Sequence, residues 1–284
     1  MPAHSVSEMS KVNSSVLSRS QIEEFIERGF TIVRDAFSRK TAEQVRARIW
    51  EEIHLSPDDP SGWTKATVHL KKNLEGAPFS DVFTPRVYGA FDDVMGPERW
   101  KRTTHLGWWP VAFPGFDSPP WTVPTEGWHI DGSFFHHHLT SPEQGLLPIF
   151  LFSDIGPGDG GTALSEGSHE ITARILADAE PIGHSMDELS ARVLAHPRSR
   201  ASVIEATGNA GDVVLIHPFL LHARSPNTGN KVRFICNPAF ALKQPLNLDR
   251  LDDAQYSPVE RAIVRALRDR KPVITPRTAA VSER

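Results

Sequence analysis

Cysteine is nearly absent from this chain, since Cys236 is the single one among 284 residues. A lone thiol excludes an intramolecular disulfide framework and a cysteine-rich zinc site, and it suits a reducing compartment. A basic excess is also lacking, with 31 Lys and Arg against 35 Asp and Glu, so a nucleic-acid partner is not expected. No apolar run has the length of a membrane span or a signal peptide. We therefore expect a cytoplasmic protein with no membrane partner, long enough for one sizeable domain.

Short apolar segments separated by turn residues make up most of the chain, and they do not alternate regularly with helices. This pattern favours an antiparallel sandwich or barrel with outer helices over a parallel α/β sheet. We predict one such domain over residues 17–272, between flexible tails at 1–16 and 273–284. The first helix is predicted to begin at a capping box formed by Ser20 and Glu23 and to end at Gly29, and a second is predicted to begin after Ser38. Further helices are predicted over 85–95, 168–177 and 257–270. Strands are predicted over 30–33, 103–109, 146–153, 202–205, 213–216 and 231–239.

Three less regular stretches surround the centre of the chain. Alternate side chains in the first stretch predict an edge strand, or else the mouth of a pocket: Trp63, Lys65, Thr67 and His69. Residues 110–124 contain five prolines, and a loop of this length with several aromatic residues is predicted to cover a pocket. The run of three histidines at 136–138 is predicted to be solvated or to line a loop, because neighbouring strand side chains face opposite ways.

A histidine and an aspartate two residues apart, His129 and Asp131, form the motif around which the chain is organised. In an extended strand both side chains point to the same face, and a carboxylate in such apolar surroundings favours a bound cation. Two later histidines, His217 and His222, follow a buried strand and lie five residues apart. They face opposite sides of an extended chain, so only one of them can join the motif, and the spacing leaves open which one.

Two histidines and one carboxylate make up the facial triad of non-haem iron(II) oxygenases, although zinc hydrolases use similar ligands. Arg233 favours the oxygenase. It is predicted on the strand that returns after His222, where its guanidinium can hold a dicarboxylate such as 2-oxoglutarate with two parallel hydrogen bonds.

Taken together, these motifs resemble the phytanoyl-CoA dioxygenase (PhyH-like) family. The resemblance is carried by Trp128–Gly132, Gly160–Thr162, Gly167–His169, Gly211–His222 and Arg233, and it extends in motif order from about residue 20 to 240. It implies a mainly β fold with flanking helices, the double-stranded β-helix or cupin-like jelly roll. It also implies iron(II), 2-oxoglutarate and O2 as cofactor and cosubstrates.

Residue by residue, the resemblance implies iron ligands at His129, Asp131 and His222, with Arg233 on the distal carboxylate of 2-oxoglutarate. Thr162 is a weaker candidate for the same cosubstrate. Related halogenases replace the metal carboxylate by a small residue, so the presence of Asp131 favours hydroxylation. The implied reaction oxidises a small-molecule substrate while 2-oxoglutarate is decarboxylated to succinate and CO2.

Two other functions stay open at this point: a metal-dependent hydrolase, and a non-catalytic barrel that has kept its metal site while binding a small molecule. The substrate is predicted to be a small amphipathic metabolite, and the sequence does not distinguish a monomer from a homodimer. Its candidate contacts are aromatic or cationic residues near the motif: Trp63, Lys65, His69, Trp109, Phe134 and Arg224.

Overall fold

The computed structural model describes residues 15–269, so the predicted tails lie outside the described residues except for 15 and 16. Its helices are α1 (Arg19–Arg28), α2 (Arg39–Glu52), α3 (Pro85–Met95), α4 (Ser168–Ala179), α5 (Met186–Ala195) and α6 (Pro258–Arg268). Its strands are β1 (Phe30–Val33), β2 (Thr67–Leu70), β3 (Trp109–Ala112), β4 (Leu147–Leu151), β5 (Ala163–Ser165), β6 (Val203–Glu205), β7 (Val213–Ile216), β8 (His222–Ala223) and β9 (Arg233–Cys236). None of the helices within residues 15–269 has both the length and the apolar character that crossing a membrane requires.

The strands form two antiparallel sheets. The larger has the order β1-β7-β4-β9-β3-β2, and the smaller has the order β6-β5-β8. Alternate residues of β4 face opposite ways, as strand geometry requires. Leu147, Ile149 and Leu151 share a core with Leu164 of the smaller sheet, while Phe150 belongs to the core that also includes α2 and α3. The molecule is thus a two-sheet sandwich with outer helices, as the sequence predicts.

Helix α1 begins two residues earlier than the predicted capping box. The Ser18 side chain accepts a hydrogen bond from the Gln21 backbone, and the Gln21 side chain accepts one from the Ser18 backbone. The prediction of Ser20 with Glu23 was wrong because the earlier start places Leu17 just before the cap, where it is buried. Ile22 at the fourth helical position packs against the same core, which is the arrangement of a hydrophobic staple.

The strand predicted over 103–109 was also wrong, since the paired segment is β3 and lies largely in the predicted loop. Trp108 has a φ of +65°, which an extended strand cannot contain, so the strand begins only at Trp109. All four residues of β3 are buried, and the strand pairs with β2 and β9. Strand β2 has one neighbour and lies at the edge of the sheet, so the edge-strand prediction is confirmed for Thr67 and His69. Trp63 and Lys65 lie before the strand, and Trp63 ends a short 3-10 turn.

Gly29 ends α1 and lies behind the segment that carries His217 and His222. Its φ is +86°, and its carbonyl accepts a 2.8 Å hydrogen bond from the His217 backbone. A β-carbon on Gly29 would lie 2.6 Å from both His169 Nδ1 and Leu220 Cδ1. The sequence therefore needs glycine here for two reasons, a left-handed backbone and a lack of space.

Gly29→Ala is expected to lower the free energy of unfolding by about 2–4 kcal/mol, the sum of left-handed strain and overpacking. Gly76→Ala is the matched control, because Gly76 also has a positive φ, of +71°, but a β-carbon there meets nothing within 4 Å. It should lose only about 1–2 kcal/mol. Urea unfolding of the two variants measures the difference, and equal losses would contradict the steric part of this account.

Candidate metal centre and its cavity

Two backbone hydrogen bonds hold His129 of the motif next to His222. The His129 N–H donates to the His222 carbonyl at 2.9 Å, and the His222 N–H donates back to the His129 carbonyl at 3.1 Å. This isolated bridge lies beside β8, whose other neighbour is β5. The two imidazole rings consequently lie with their centroids 4.4 Å apart.

The backbone pairing resolves the choice that the sequence left open in favour of His222. His217 is fully buried elsewhere, and both of its ring nitrogens have partners: Nε2 donates to the Val259 carbonyl at 3.2 Å, and Nδ1 accepts from the Phe219 N–H at 3.1 Å. Burial holds the pKa of His217 well below its ordinary value. His217 therefore acts as a neutral packing residue among α1, α4 and α6, where it contacts Phe25, His169 and Val259.

Asp131 lies between the two histidines. Its Oδ1 is 3.1 Å from His129 Nε2, and its Oδ2 is 3.6 Å from His222 Nε2. One ligand atom from each of the three residues lies within 4.8 Å of the others, so the three can share one ion. The i and i+2 spacing of the motif thus places both side chains at one point, as predicted from strand geometry.

Each imidazole is oriented by its second nitrogen. His129 Nδ1 lies 2.8 Å from the Gly127 carbonyl, and His222 Nδ1 lies 3.0 Å from the Leu220 carbonyl, so both Nδ1 atoms carry the hydrogen. This leaves the Nε2 lone pairs free for a metal, which is the usual outer-shell arrangement of histidine ligands. His222 Nε2 is buried and has no hydrogen-bond partner among the described residues. A divalent ion would satisfy it, so the residues present fit a metal.

The charges of the site agree with this assignment. Burial raises the pKa of Asp131, but the neighbouring imidazoles of His129 and His222 outweigh it and hold that pKa far below its ordinary value. Burial lowers the pKa of His129, and the contact with Asp131 raises it to above its ordinary value. Asp131 is therefore an anion at neutral pH, as a metal ligand must be.

Arg233 lies on β9 opposite Ala112, buried to 2 % exposure. Its Nε has no hydrogen-bond partner and its guanidinium forms no ion pair within residues 15–269. Burial, and then the nearby charge of Arg224, lower the pKa of Arg233 to about 10, so it stays charged at neutral pH. The charge of Glu205 acts on Arg233 and raises this pKa slightly, but the two form no direct ion pair. A buried cation without such a pair is costly, and the site is therefore suited to an anion.

The charge of Arg233 acts on His69, and the charge of Arg224 acts on Arg233. His69 and Arg224 are exposed, and the pKa of His69 is lowered by burial and then by the charges of Lys71, Arg224 and Arg233. Thr162 is buried immediately before β5, whose register places Ala163 opposite Ala223. Thr162 and Arg224 are thus neighbours on adjacent chain segments.

A cavity of about 770 Å³ opens beside the triad, and His129 and Asp131 form part of its wall. Among the predicted substrate contacts, Phe134 lines this cavity and is 68 % exposed. The wall also includes side chains that no sequence pattern singles out, among them Lys71, Trp108, Gln144, Met186 and Asn237. A single lysine, amide or methionine belongs to no sequence motif that would indicate a cavity. The sequence also does not show which of the adjacent Trp108 and Trp109 is buried.

The remaining substrate candidates do not line this wall, although the His69 ring lies beside that of Trp108 with the centroids 5.9 Å apart. Trp109 is 1 % exposed and packs against Phe79 and Phe152, so it belongs to the core instead. Trp63 packs against Trp50 and Phe113, and its Nε1 donates to the Ser56 carbonyl. Lys65, His69 and Arg224 are exposed and do not line the cavity.

The long loop and the histidine run also differ from expectation. Residues 113–124 do not line the cavity, and Phe113 is buried in the core. The cavity is lined instead by Ser133 and Phe134, which follow the motif, and by Met186, the first residue of α5. Within the histidine run, His137 is buried, and its Nε2 lies 3.1 Å from the Gly132 carbonyl, so it supports the motif from behind.

Comparison with known proteins gives a family match and several structural likenesses. The sequence profile of the phytanoyl-CoA dioxygenase (PhyH) family matches residues 25–235, whereas no curated protein matches the sequence. The structure is similar to the epimerase SnoN in complex with Fe3+, alpha ketoglutarate and nogalamycin RO, with a TM-score of 0.50 and 14 % identity over 78 % of this chain and 82 % of that one.

Two other solved structures are similar over comparable lengths. EctD from S. alaskensis in its apoform has a TM-score of 0.49 and 17 % identity, covering 84 % of this chain and 83 % of that one. HygX from Streptomyces hygroscopicus with nickel, 2-oxoglutarate and hygromycin B has a TM-score of 0.48 and 15 % identity, covering 80 % and 88 %. Together with the two antiparallel sheets and the family match, the likeness to SnoN confirms the predicted mainly β, cupin-like jelly roll.

His222→Gln is expected to weaken binding of a divalent ion such as Zn²⁺ beyond the roughly 10- to 100-fold that losing an outer-shell partner costs, because one of three ligands disappears. Titration calorimetry against the metal-free protein measures this. His217→Gln is the control for the same residue type, and it should keep the affinity while circular dichroism checks its fold. Loss of binding in His217→Gln with retention in His222→Gln would overturn the assignment.

Proposed function

Because the chain belongs to the phytanoyl-CoA dioxygenase family, we propose that His129, Asp131 and His222 hold iron(II) and that Arg233 holds 2-oxoglutarate. Family membership confirms the enzyme class predicted from the sequence, a non-haem iron and 2-oxoglutarate-dependent oxygenase. The observation that carries the residue assignment is Arg233, a buried guanidinium that forms no direct ion pair among the described residues. A dicarboxylate chelating the metal supplies the missing charge.

The residues of this chain have three tasks in the reaction. The triad offers two neutral imidazoles and one carboxylate, a ligand set that leaves coordination positions for a cosubstrate and dioxygen. Arg233 binds and orients the cosubstrate, with Thr162, the neighbour of Arg224, as a second contact. His222, Thr162 and Arg233 are all buried, so this part of the site excludes water.

Iron(II) with 2-oxoglutarate and O2 supplies an oxidant able to remove hydrogen from a C–H bond, while 2-oxoglutarate becomes succinate and CO2. Asp131 occupies the position that must be vacant for a halide in related halogenases, which supports hydroxylation as the outcome. A metal hydrolase is less well supported. Apart from Asp131, no carboxylate among the described residues lines the cavity to act as a general base.

We further propose that the substrate is a small amphipathic metabolite and that the enzyme acts in the cytoplasm. The cavity size lies within the range typical of small-molecule sites. Cys236 is a buried free thiol, which suits a reducing compartment.

Anaerobic addition of iron(II) and 2-oxoglutarate is expected to produce the visible metal-to-ligand charge-transfer band. Arg233→Gln should weaken the binding of 2-oxoglutarate in this titration by about 30- to 1000-fold, because the substitution removes one partner of a buried charge pair. Arg224→Gln is the matched control. Its side chain is exposed, and it should cost less than about tenfold. Absence of the band in the unmodified protein would refute the proposed function.

Arg233→Met is expected to raise the free energy of unfolding without 2-oxoglutarate by about 1–3 kcal/mol, because an unpaired buried cation is removed. The sign follows from the depressed pKa of Arg233. The charged form is less favourable in the folded than in the unfolded protein, and this penalty is present at all pH values below about 10. Thermal unfolding should also show that 2-oxoglutarate stabilises the unmodified protein and not the variant. A less stable Arg233→Met protein would contradict the isolation of this charge.

A further inference from the structure

The deep wall of the cavity carries amide groups that the fold leaves unpaired. Gln144 is 3 % exposed, and neither its Nε2 nor its Oε1 has a hydrogen-bond partner among the described residues. Asn237 is similar, since its Oδ1 is buried and unpaired while its Nδ2 donates to Asp131 Oδ2 at 3.4 Å. A buried amide without partners is costly in a folded protein, so a ligand group that both donates and accepts hydrogen bonds fits against Gln144.

The mouth of the cavity is basic. Lys71 is exposed, its Nζ lies 5.0 Å from the centre of the Trp108 ring, and it forms no ion pair within residues 15–269. Lys72 beside it differs, because Glu52 neutralises it at 2.8 Å. Asp131 is the one acidic side chain among the described residues that line the cavity, and the metal would take it. The mouth therefore attracts an anion.

Trp108 is held at the cavity by a strained backbone. Its φ of +65° is unusual for a large side chain, and its indole is 42 % exposed. The strain is maintained by neighbours on both sides: the Trp108 carbonyl accepts from the Asn237 N–H at 3.3 Å, and the Gly107 carbonyl accepts from Cys236 Sγ at 2.9 Å. Backbone strain of this kind is found mainly at active sites and ligand-binding sites. Here it presents an aromatic surface between the basic mouth and the amide wall.

Given the proposed oxygenase function, we propose that the substrate is a small organic anion with an amide or similar donor–acceptor group in its interior. Lys71 binds the anionic end at the mouth of the cavity. Trp108 covers the adjoining apolar part. Gln144 pairs with the interior group, which directs the substrate toward the triad. This assigns substrate specificity to three residues that belong to neither the metal nor the 2-oxoglutarate site.

The test uses three matched probes with the full chain loaded with Zn²⁺ and 2-oxoglutarate, so that binding is measured without turnover. N-acetyl-L-phenylalanine has both features, N-acetyl-L-phenylalaninamide lacks the charge, and 3-phenylpropanoate lacks the interior amide. Calorimetry or saturation-transfer NMR should show that the first binds about tenfold tighter than either of the others, the size of effect expected for one exposed ionic or hydrogen-bonding contact.

Each variant should remove one of these two preferences. Lys71→Met is expected to abolish the preference for the acid over its carboxamide while keeping the preference for the interior amide. Gln144→Leu should do the reverse, and its midpoint of thermal unfolding should rise because an unpaired buried amide is replaced by an apolar side chain. Lys101→Met and Gln244→Leu are matched controls at exposed positions outside the cavity, and both should keep the two preferences.

The inference is overturned if no probe binds, if the carboxamide binds as tightly as the acid, or if a control behaves like its cavity variant. A lower unfolding midpoint in Gln144→Leu would also overturn it, because the amide would then have a structural role. The iron(II) and 2-oxoglutarate band separates this failure from that of the proposed function. A band in the unmodified protein without the probe preferences refutes only the substrate assignment.

Discussion

The candidate metal centre depends on the paired backbone hydrogen bonds between His129 and His222. They position the two imidazoles from the main chain, so the convergence of the ligands is built by folding. Strand β8 is only two residues long and is held by β5 on one side and by this bridge on the other. Ser168, at the start of α4, accepts from the Leu221 N–H at 2.9 Å and donates to the Ser165 carbonyl at 2.7 Å. The position of His222 is thereby tied to a helix and to the neighbouring strand at once.

Several unpaired polar atoms lie where this frame meets the cavity. His222, Arg233, Gln144 and Asn237 all have buried side-chain atoms without a partner among the described residues. A buried charge elsewhere in the fold has its partners: Glu260, which is completely buried, accepts from Arg250 at 3.1 Å and from the backbone of Asn247 and Ser257. Of the nine buried side-chain atoms without a partner among the described residues, five belong to these four residues, and the other four are spread over Thr67, Trp121, His169 and Arg250. The grouping of the five indicates that ligands complete them, at a cost in stability to the empty protein.

Local signals explain which features could be predicted from the sequence. The end of α1 at Gly29, the start of α2 at Ser38 and the shared face of His129 and Asp131 depend on residues a few positions apart. The choice between His217 and His222 does not. It is decided by the pairing of His222 with His129 and by the Val259 carbonyl on α6, which accepts from His217 across 42 residues of chain. Trp108 and Trp109 show the same limit, because a single positive φ places one at the cavity and the other in the core.

One side of the cavity is formed by residues on or next to paired strands, and the other side includes an irregular segment. Gln144, Leu147 and Asn237 lie on or next to β4 and β9, central strands of the larger sheet, so their positions are set by strand pairing. Phe134 lies on the exposed segment between the motif and His137, outside any helix or strand. Specificity contacts on paired strands keep a fixed distance to the triad, whereas a side chain on an irregular segment can move to admit and then cover a substrate. The architecture thus separates cavity residues whose positions are fixed by the sheet from those on the irregular segment that follows His129 and Asp131.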